Sequence, residues 1–405
     1  MNTNAHDSVL SGNIKMFLSV LAVACLPLGL LWDISWHVSI GRDTFWAPAH
    51  IVIQLGGLVP ALLFAWQAAR TTFRGTPEER GASVCFWGAR ASFGAWVTMW
   101  GALAMLTSAP FDDWWHNTYG LDVKIASPPH ALLGLGMFAV ALGVMLSVLS
   151  WQNRASDNMR KTTAYLFTLA CGLLVTMLAA YTTEFTWPNR QHSSNFYHVI
   201  SCVYPFLFVA IARASKLRWA ATVATLIYTG LMLALVWFLP MFRAQPKLAP
   251  IYNPVDHMVP PPFPLLIIVP ALAVDLLMRF FGKESAPRLN SLSTESGKPN
   301  QPWWKRGWMR DWLLAPAIAV PFLLLAFGVQ WFFAEFLISP AANNWFFAGG
   351  RHWPYYSEPG EWRHNFWDLA KSPLTISSLI WSAAIAMVSA RVGLWCGNWM
   401  LKVKR

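Results

Sequence analysis

Apolar runs long enough to cross a lipid bilayer, joined by loops that are rich in Lys and Arg at every second crossing, constrain this chain more than any other feature. The runs fall at about 14–36, 47–69, 88–109, 129–151, 162–183, 196–213, 218–241, 262–282, 312–337 and 374–397. A helix needs roughly 20 mainly apolar residues to cover the hydrocarbon core. In lipid, only helices and closed barrels satisfy all of their own backbone hydrogen bonds. Ten such runs therefore predict an all-α, polytopic transmembrane helix bundle. Composition agrees, because 56% of residues are hydrophobic and only 12% charged, about half the charged share of a soluble domain. The 25 Trp and 26 Phe suit a protein that anchors many helix ends at membrane–water interfaces.

Net charge is +11, and its distribution decides what it means. With the N-terminus inside, the inner segments hold 22 of the 30 Lys and Arg, from Lys15 and the Arg70–Arg90 group to Lys402, Lys404 and Arg405. The outer segments hold the other eight: Arg42, Lys124, Arg190, Arg243, Lys247, Arg351, Arg363 and Lys371. Every inner loop is basic, as the positive-inside rule requires. An even number of spans then puts both termini in the cytoplasm, with the chain in the inner (cytoplasmic) membrane. The excess charge encodes topology and calls for no nucleic acid; the expected surroundings are the lipid bilayer.

Five scattered cysteines form neither a CxxC pair nor a disulfide framework. Leu21-Ala-Val-Ala-Cys25 has the look of a lipoprotein cleavage site, but the apolar core continues past it, so it reads as part of a retained helix. The polar, Ser- and Pro-rich stretch from residue 283 reads as a linker. The expected divisions are residues 1–156, central membrane helices over 157–282, a cytoplasmic linker over 283–311, and a two-helix region over 312–405.

On this map the histidines are lopsided. His37, His50, His116, His130, His192, His198, His257, His352 and His364 fall in outer loops or at outer helix ends, and only His6 lies inside. In the first outer hairpin, Asp33 and His37 are four apart and share a helix face. Pro48 opens the next span, and His50 lies in its first turn. The second outer hairpin repeats the plan with Asp112, His116, Pro128-Pro129 and His130. Asp43 and Asp122 precede the last His of each hairpin and are expected to orient histidines or relay protons. A single Asp–His pair at a span end is ordinarily a hydrogen-bonded anchor. Two copies, each beside a returning His, point instead to two sites of one carboxylate and two imidazoles, a donor set for a divalent metal.

The first string closely resembles the signature of the C subunit of the copper membrane monooxygenases, the particulate methane and ammonia monooxygenases. There an Asp, a His four later and a His thirteen further on bind copper. The resemblance covers about residues 14–150 and implies that Asp33, His37 and His50 bind copper and carry catalysis. It implies a second metal site at Asp112, His116 and His130, where the family has Asn in place of Asp112. It also implies O2-dependent oxidation of a small apolar substrate, other monooxygenase-type subunits as partners, and an electron donor such as quinol, since no flavin, haem-attachment or iron–sulfur motif is present. This chain is longer than the usual C subunit, and nothing beyond about residue 215 carries the likeness.

The residues alone leave iron or zinc open beside copper. They also leave open a non-enzymatic membrane copper-binding or transport protein, and a haem b protein. Glu184, His192 and His198 are read first as a polar, aromatic-anchored loop and second as extra ligands. The aromatic loop 338–373, with His352 and His364, is expected to form an interfacial cap or a docking surface for a partner. The Pro-rich loop 244–264, with Asp256-His257, is read as a lid or spacer.

Overall fold

The computed structural model describes residues 3–41, 44, 46–120, 127–282, 307–358 and 372–404. Asp43, Asp122, His364 and most of the expected linker lie outside the described residues. Helix follows helix: α1 (Thr3–Val23), α2 (Cys25–Ser39), α3 (Pro48–Arg74), the short α4 (Pro77–Gly81), α5 (Phe93–Tyr119), α6 (Pro128–Arg154), α7 (Arg160–Tyr181), the single turn α8 (Thr183–Thr186), α9 (Ser194–Ala214), α10 (Ala220–Phe238), α11 (Ile268–Gly282), α12 (Gly307–Leu337) and α13 (Ile376–Met400). Among the described residues the only sheet is a two-stranded hairpin between α4 and α5, β1 (Val84–Phe86) and β2 (Ala89–Ala91). The chain is an all-α, multi-pass membrane protein; among the described residues, eight helices are long and apolar enough to span a bilayer.

Two of the ten expected spans fall outside those eight. α5 is 27 residues long, but its last turns carry Asp112, Asp113 and His116. α11 has only 15 residues, about 22 Å of helix. The first span is also jointed: α1 stops at Val23 and α2 starts at Cys25. Pro27 accounts for the joint, because it brings no N–H to the Val23 carbonyl four residues back.

The eighth span is completed by extended chain. Met258 to Leu265 are buried without helical structure, so the Pro-rich stretch read as a lid is in this part an inner wall of the bundle. Unpaired backbone is costly away from water, and the segment meets that cost in two ways. Pro260, Pro261, Pro262 and Pro264 have no N–H to satisfy. Side chains from other helices take up three of the N–H groups that remain. Val259 donates to Ser39 Oγ (2.7 Å), Leu265 to the Tyr228 hydroxyl (3.0 Å) and Leu266 to Gln330 Oε1 (2.9 Å). Gln330 is itself held by Gln191 Oε1 at 2.7 Å.

Both hairpins that carry the Asp and His residues are drawn tight by glycine. A Cβ on Gly101 would come within 2.7 Å of the Val140 backbone nitrogen, and one on Gly136 within 2.8 Å of the Gly101 carbonyl. In the first hairpin a Cβ on Gly29 would lie 3.0 Å from the Ile53 nitrogen, and one on Gly56 3.0 Å from the Leu26 nitrogen. Small residues let membrane helices approach to backbone contact. The pairs α2/α3 and α5/α6 therefore hold their ends close.

The loops at the histidine end are knitted into one layer. Tyr355 N–H donates to the Val38 carbonyl (3.1 Å), Lys247 N–H to Ile40 (2.8 Å), and Asn253 N–H to Tyr355 (2.8 Å). The opposite end is tied independently. Asn153 donates to the Met400 and Val403 carbonyls, and Arg213 bonds Asn398, which bonds Asp311.

Candidate metal centre

α2 ends at the first site. Its last two turns present Ser35 and Ser39 on one face, which grip the backbone of Val259 (Ser35 Oγ to Val259 O, 2.6 Å). Asp33 and His37 sit two residues back from each serine, which at 100° per residue is the roughly opposite face. The serines thus fix the rotation of α2 and, with it, where Asp33 and His37 point. α3 begins at Pro48, and its first turn carries His50 back toward the end of α2.

The three side chains meet. Asp33 Oδ1 lies 3.1 Å from His50 Nε2, and Asp33 Oδ2 lies 3.7 Å from His37 Nε2. One ligand atom from each residue falls within 4.8 Å of the others, the only such group of three among the described residues. Ligands that share one ion at 2.0–2.2 Å stand roughly 3–3.5 Å apart in a tetrahedral set; the Asp33–His50 separation lies in that range and the Asp33–His37 separation just outside it. Asp33 Oδ1 is buried and makes no hydrogen bond, despite the nearby imidazole. A buried acceptor left without a hydrogen bond normally has a specific explanation, an ion among them.

The imidazole of His50 is pre-set for such a role. Its Nδ1 lies 3.0 Å from the Thr44 carbonyl oxygen. A carbonyl only accepts, so Nδ1 carries a proton, and Nε2 is the nitrogen that faces Asp33. Metal-bound histidines characteristically have their second nitrogen fixed in this way.

The second set is assembled on the same plan but is looser. His116 Nε2 lies 3.5 Å and His130 Nε2 3.9 Å from Asp112 Oδ1, and that oxygen too is buried without a hydrogen bond. His116 Nδ1 donates to the Gly120 carbonyl (3.0 Å), and His130 Nδ1 bonds Ser127 Oγ (2.8 Å). These three ligand atoms do not all come within 4.8 Å of one another, as those of the first set do. The Asp112 and His130 side chains are over a third exposed, whereas Asp33 is 17% exposed.

The structure extends the repeat by a residue type that the Asp and His spacing left out. Gly41 and Gly120 each stand four residues after the first His of their hairpin, and both have φ +84°, a region that side-chain-bearing residues enter at a cost. Each glycine turns the chain out of the helix at the same distance from its Asp–His pair. The shared His-x-x-x-Gly spacing was the available signal.

Among the described residues, the other outer histidines do not join either set. His192 Nε2 faces the Trp331 carbonyl (3.2 Å) and Glu335 (3.4 Å). His198 Nε2 faces the Ser378 carbonyl (3.3 Å), and Glu184 pairs with Arg190. His352 is buried, with its ring nitrogens 3.3 Å from the Pro260 carbonyl and 3.2 Å from that of Phe347. It serves as a brace against the extended segment. Burial pushes its pKa below the ordinary histidine value. No family model, no curated protein and no solved structure matches this chain.

Proposed function

We propose that the chain is a membrane oxygenase subunit in which Asp33, His37 and His50 hold copper, and which oxidises a small apolar substrate with O2. The convergence of these three side chains, with a buried carboxylate oxygen that has no hydrogen bond, is the observation that carries the reading. Two imidazoles and a carboxylate suit copper, iron and zinc. Copper is preferred because the Asp-x-x-x-His and following His spacing resembles that of the copper membrane monooxygenase C subunit. Asp112, His116 and His130 are assigned to a second, weaker site on the same grounds.

Copper bound at the first site would supply the redox chemistry that activates O2. The protein's own part is positional. Asp33 provides the negative charge that retains a cation, and the Thr44 carbonyl fixes the His50 ring with Nε2 facing it. Electrons must come from outside the chain, from a donor such as quinol, and further subunits are proposed as partners. The Lys and Arg distribution argues that the sites face the outer, periplasmic side of the inner membrane.

The test is O2 consumption by native membranes, which hold the intact chain together with any partner subunits, supplied with copper, a quinol and a short alkane or alkene. Uptake that requires copper and vanishes in His37→Ala is expected. Copper bound at full occupancy with no substrate-dependent uptake would contradict the oxygenase reading.

One observation favours a second reading, a metal transporter: the eighth span is broken, and broken spans mark binding sites in transporters. The broken stretch here, Met258 to Ile267, offers proline, phenylalanine and aliphatic side chains with a single Met. Its chemistry does not extend the metal set, and the oxygenase reading is kept.

A further inference from the structure

A separate pocket at the histidine end has a different chemistry. It is an open cleft of about 620 Å³ lined by Arg243, Arg351, His257, Asp256 and the apolar residues Pro240, Met241 and Phe242. The backbone builds it. Residues 242–244 pair antiparallel with 256–258, through Ala244 N–H to Asp256 O (3.1 Å) and Met258 N–H to Phe242 O (3.0 Å). Arg243 and His257 are directly opposed in that ribbon, so their side chains leave on the same face. Arg351 approaches from the loop after α12.

Three facts about these groups ask for an anion. Among the described residues, neither Arg243 nor Arg351 has a carboxylate within ion-pair distance. His257 Nε2 is buried without a hydrogen-bond partner, while its Nδ1 is taken by Asp256 at 2.8 Å. That hydrogen bond, with smaller contributions from the His257 and Arg351 charges, holds the Asp256 carboxyl below the ordinary carboxylate range, so the pocket sets two guanidiniums and an imidazole against one ionised carboxylate whose nearest partner is His257. The third fact is placement. Outer loops hold only eight of the 30 Lys and Arg, and two of the eight converge here.

The surroundings narrow the anion. Phe238, Met241 and Phe242 are 55%, 75% and 49% exposed at the end of α10, where a membrane protein meets the headgroup level and the first acyl carbons. A ligand that puts a negative group against two guanidiniums and hydrocarbon along that apolar flank is an amphiphile. Arginine forks match phosphate geometry.

We propose that this pocket binds the phosphate headgroup of an anionic phospholipid, with the acyl chains lying along Phe238, Met241 and Phe242. The site is independent of the metal centre, and its test does not require metal.

The experiment is native mass spectrometry of the intact protein released from nanodiscs of phosphatidylglycerol mixed with phosphatidylcholine. Wild type is expected to retain one phosphatidylglycerol. The double variant Arg243→Gln/Arg351→Gln should lose it by about tenfold or more, given the strength of charge-assisted hydrogen bonds. Arg243→Lys, which keeps the charge and loses the fork, should retain an intermediate fraction. Lys247→Gln, on the same loop but outside the pocket, should behave as wild type and controls for folding. Equal retention in the double variant and wild type would overturn the proposal. So would displacement of the lipid by millimolar inorganic phosphate, which would make the pocket a site for free anions. Equal retention of phosphatidylcholine and phosphatidylglycerol by wild type would overturn it as well.

Discussion

The Nε2 of His50 lies 3.1 Å from Oδ1 of Asp33, across two antiparallel helices whose glycines bring their backbones together. Neither residue would be placed there by its own helix alone. Asp33 depends on the rotation that Ser35 and Ser39 impose on α2. His50 depends on Pro48 opening α3 and on the Thr44 carbonyl at its Nδ1.

The tight α5/α6 contact makes a first prediction. Gly101→Val would put branched carbon where the α6 backbone already lies. Overpacking of this kind costs about 1–3 kcal/mol, and it should spread Asp112 from His130. Thermal unfolding in detergent should show a lower Tm for Gly101→Val. Gly230→Ala, with nothing within 4 Å of its added carbon, should leave Tm nearly unchanged.

The broken eighth span makes a second. Gln330→Leu deprives the Leu266 N–H of its acceptor and Gln191 of its partner. Leaving a buried donor unpaired costs about 1–3 kcal/mol, so a reduced Tm is expected. A Tm equal to wild type would mean that the extended segment is not held by these bonds.

A third prediction concerns pH. Burial, with a smaller contribution from His257, pushes the His352 pKa down in the folded protein. The unfolded chain then binds a proton at this position that the folded one refuses. Stability should be flat above pH about 6.5, the ordinary histidine value, and should fall as pH drops below it. Comparing Tm at about pH 7.5 and about pH 5 for wild type and His352→Gln checks this. The variant should lose part of the acid sensitivity.

A fourth separates the two metal sets. If Asp112 acts mainly as an oxygen donor beside His116 and His130, then Asp112→Asn, which keeps an oxygen in place, should retain more metal at the second set than Asp112→Ala. Titration of metal into each purified variant measures this directly.

Much of this was legible in the residues. Apolar run length gave the helices, since backbone in lipid has few alternatives. The meeting of Asp33, His37 and His50 followed from four-residue spacing on one helix and a proline-started return. What spacing could not show was the extended wall at Met258 to Leu265, because consecutive prolines read as an exposed loop until side chains from α2, α10 and α12 are seen to hold it. Nor could it show that His352 is a buried brace. Its partners Pro260 and Phe347 include one 92 residues away, a contact that no local pattern encodes. Asp112, His116 and His130 come near one another, but their looser geometry depends on helix ends that spacing does not measure.

The central claim is that Asp33, His37 and His50 form a metal centre, and metal content of the purified protein tests it most directly. Wild type, Asp33→Ala, His37→Ala and Asp112→Ala would be matched for elution volume and assayed for copper, iron and zinc by plasma mass spectrometry. Wild type is predicted to hold copper, the Asp33 and His37 variants to lose the more tightly bound ion, and the Asp112 variant to keep it. Wild type with only trace transition metal, or Asp33 and His37 variants that retain the full wild-type amount, would contradict the account.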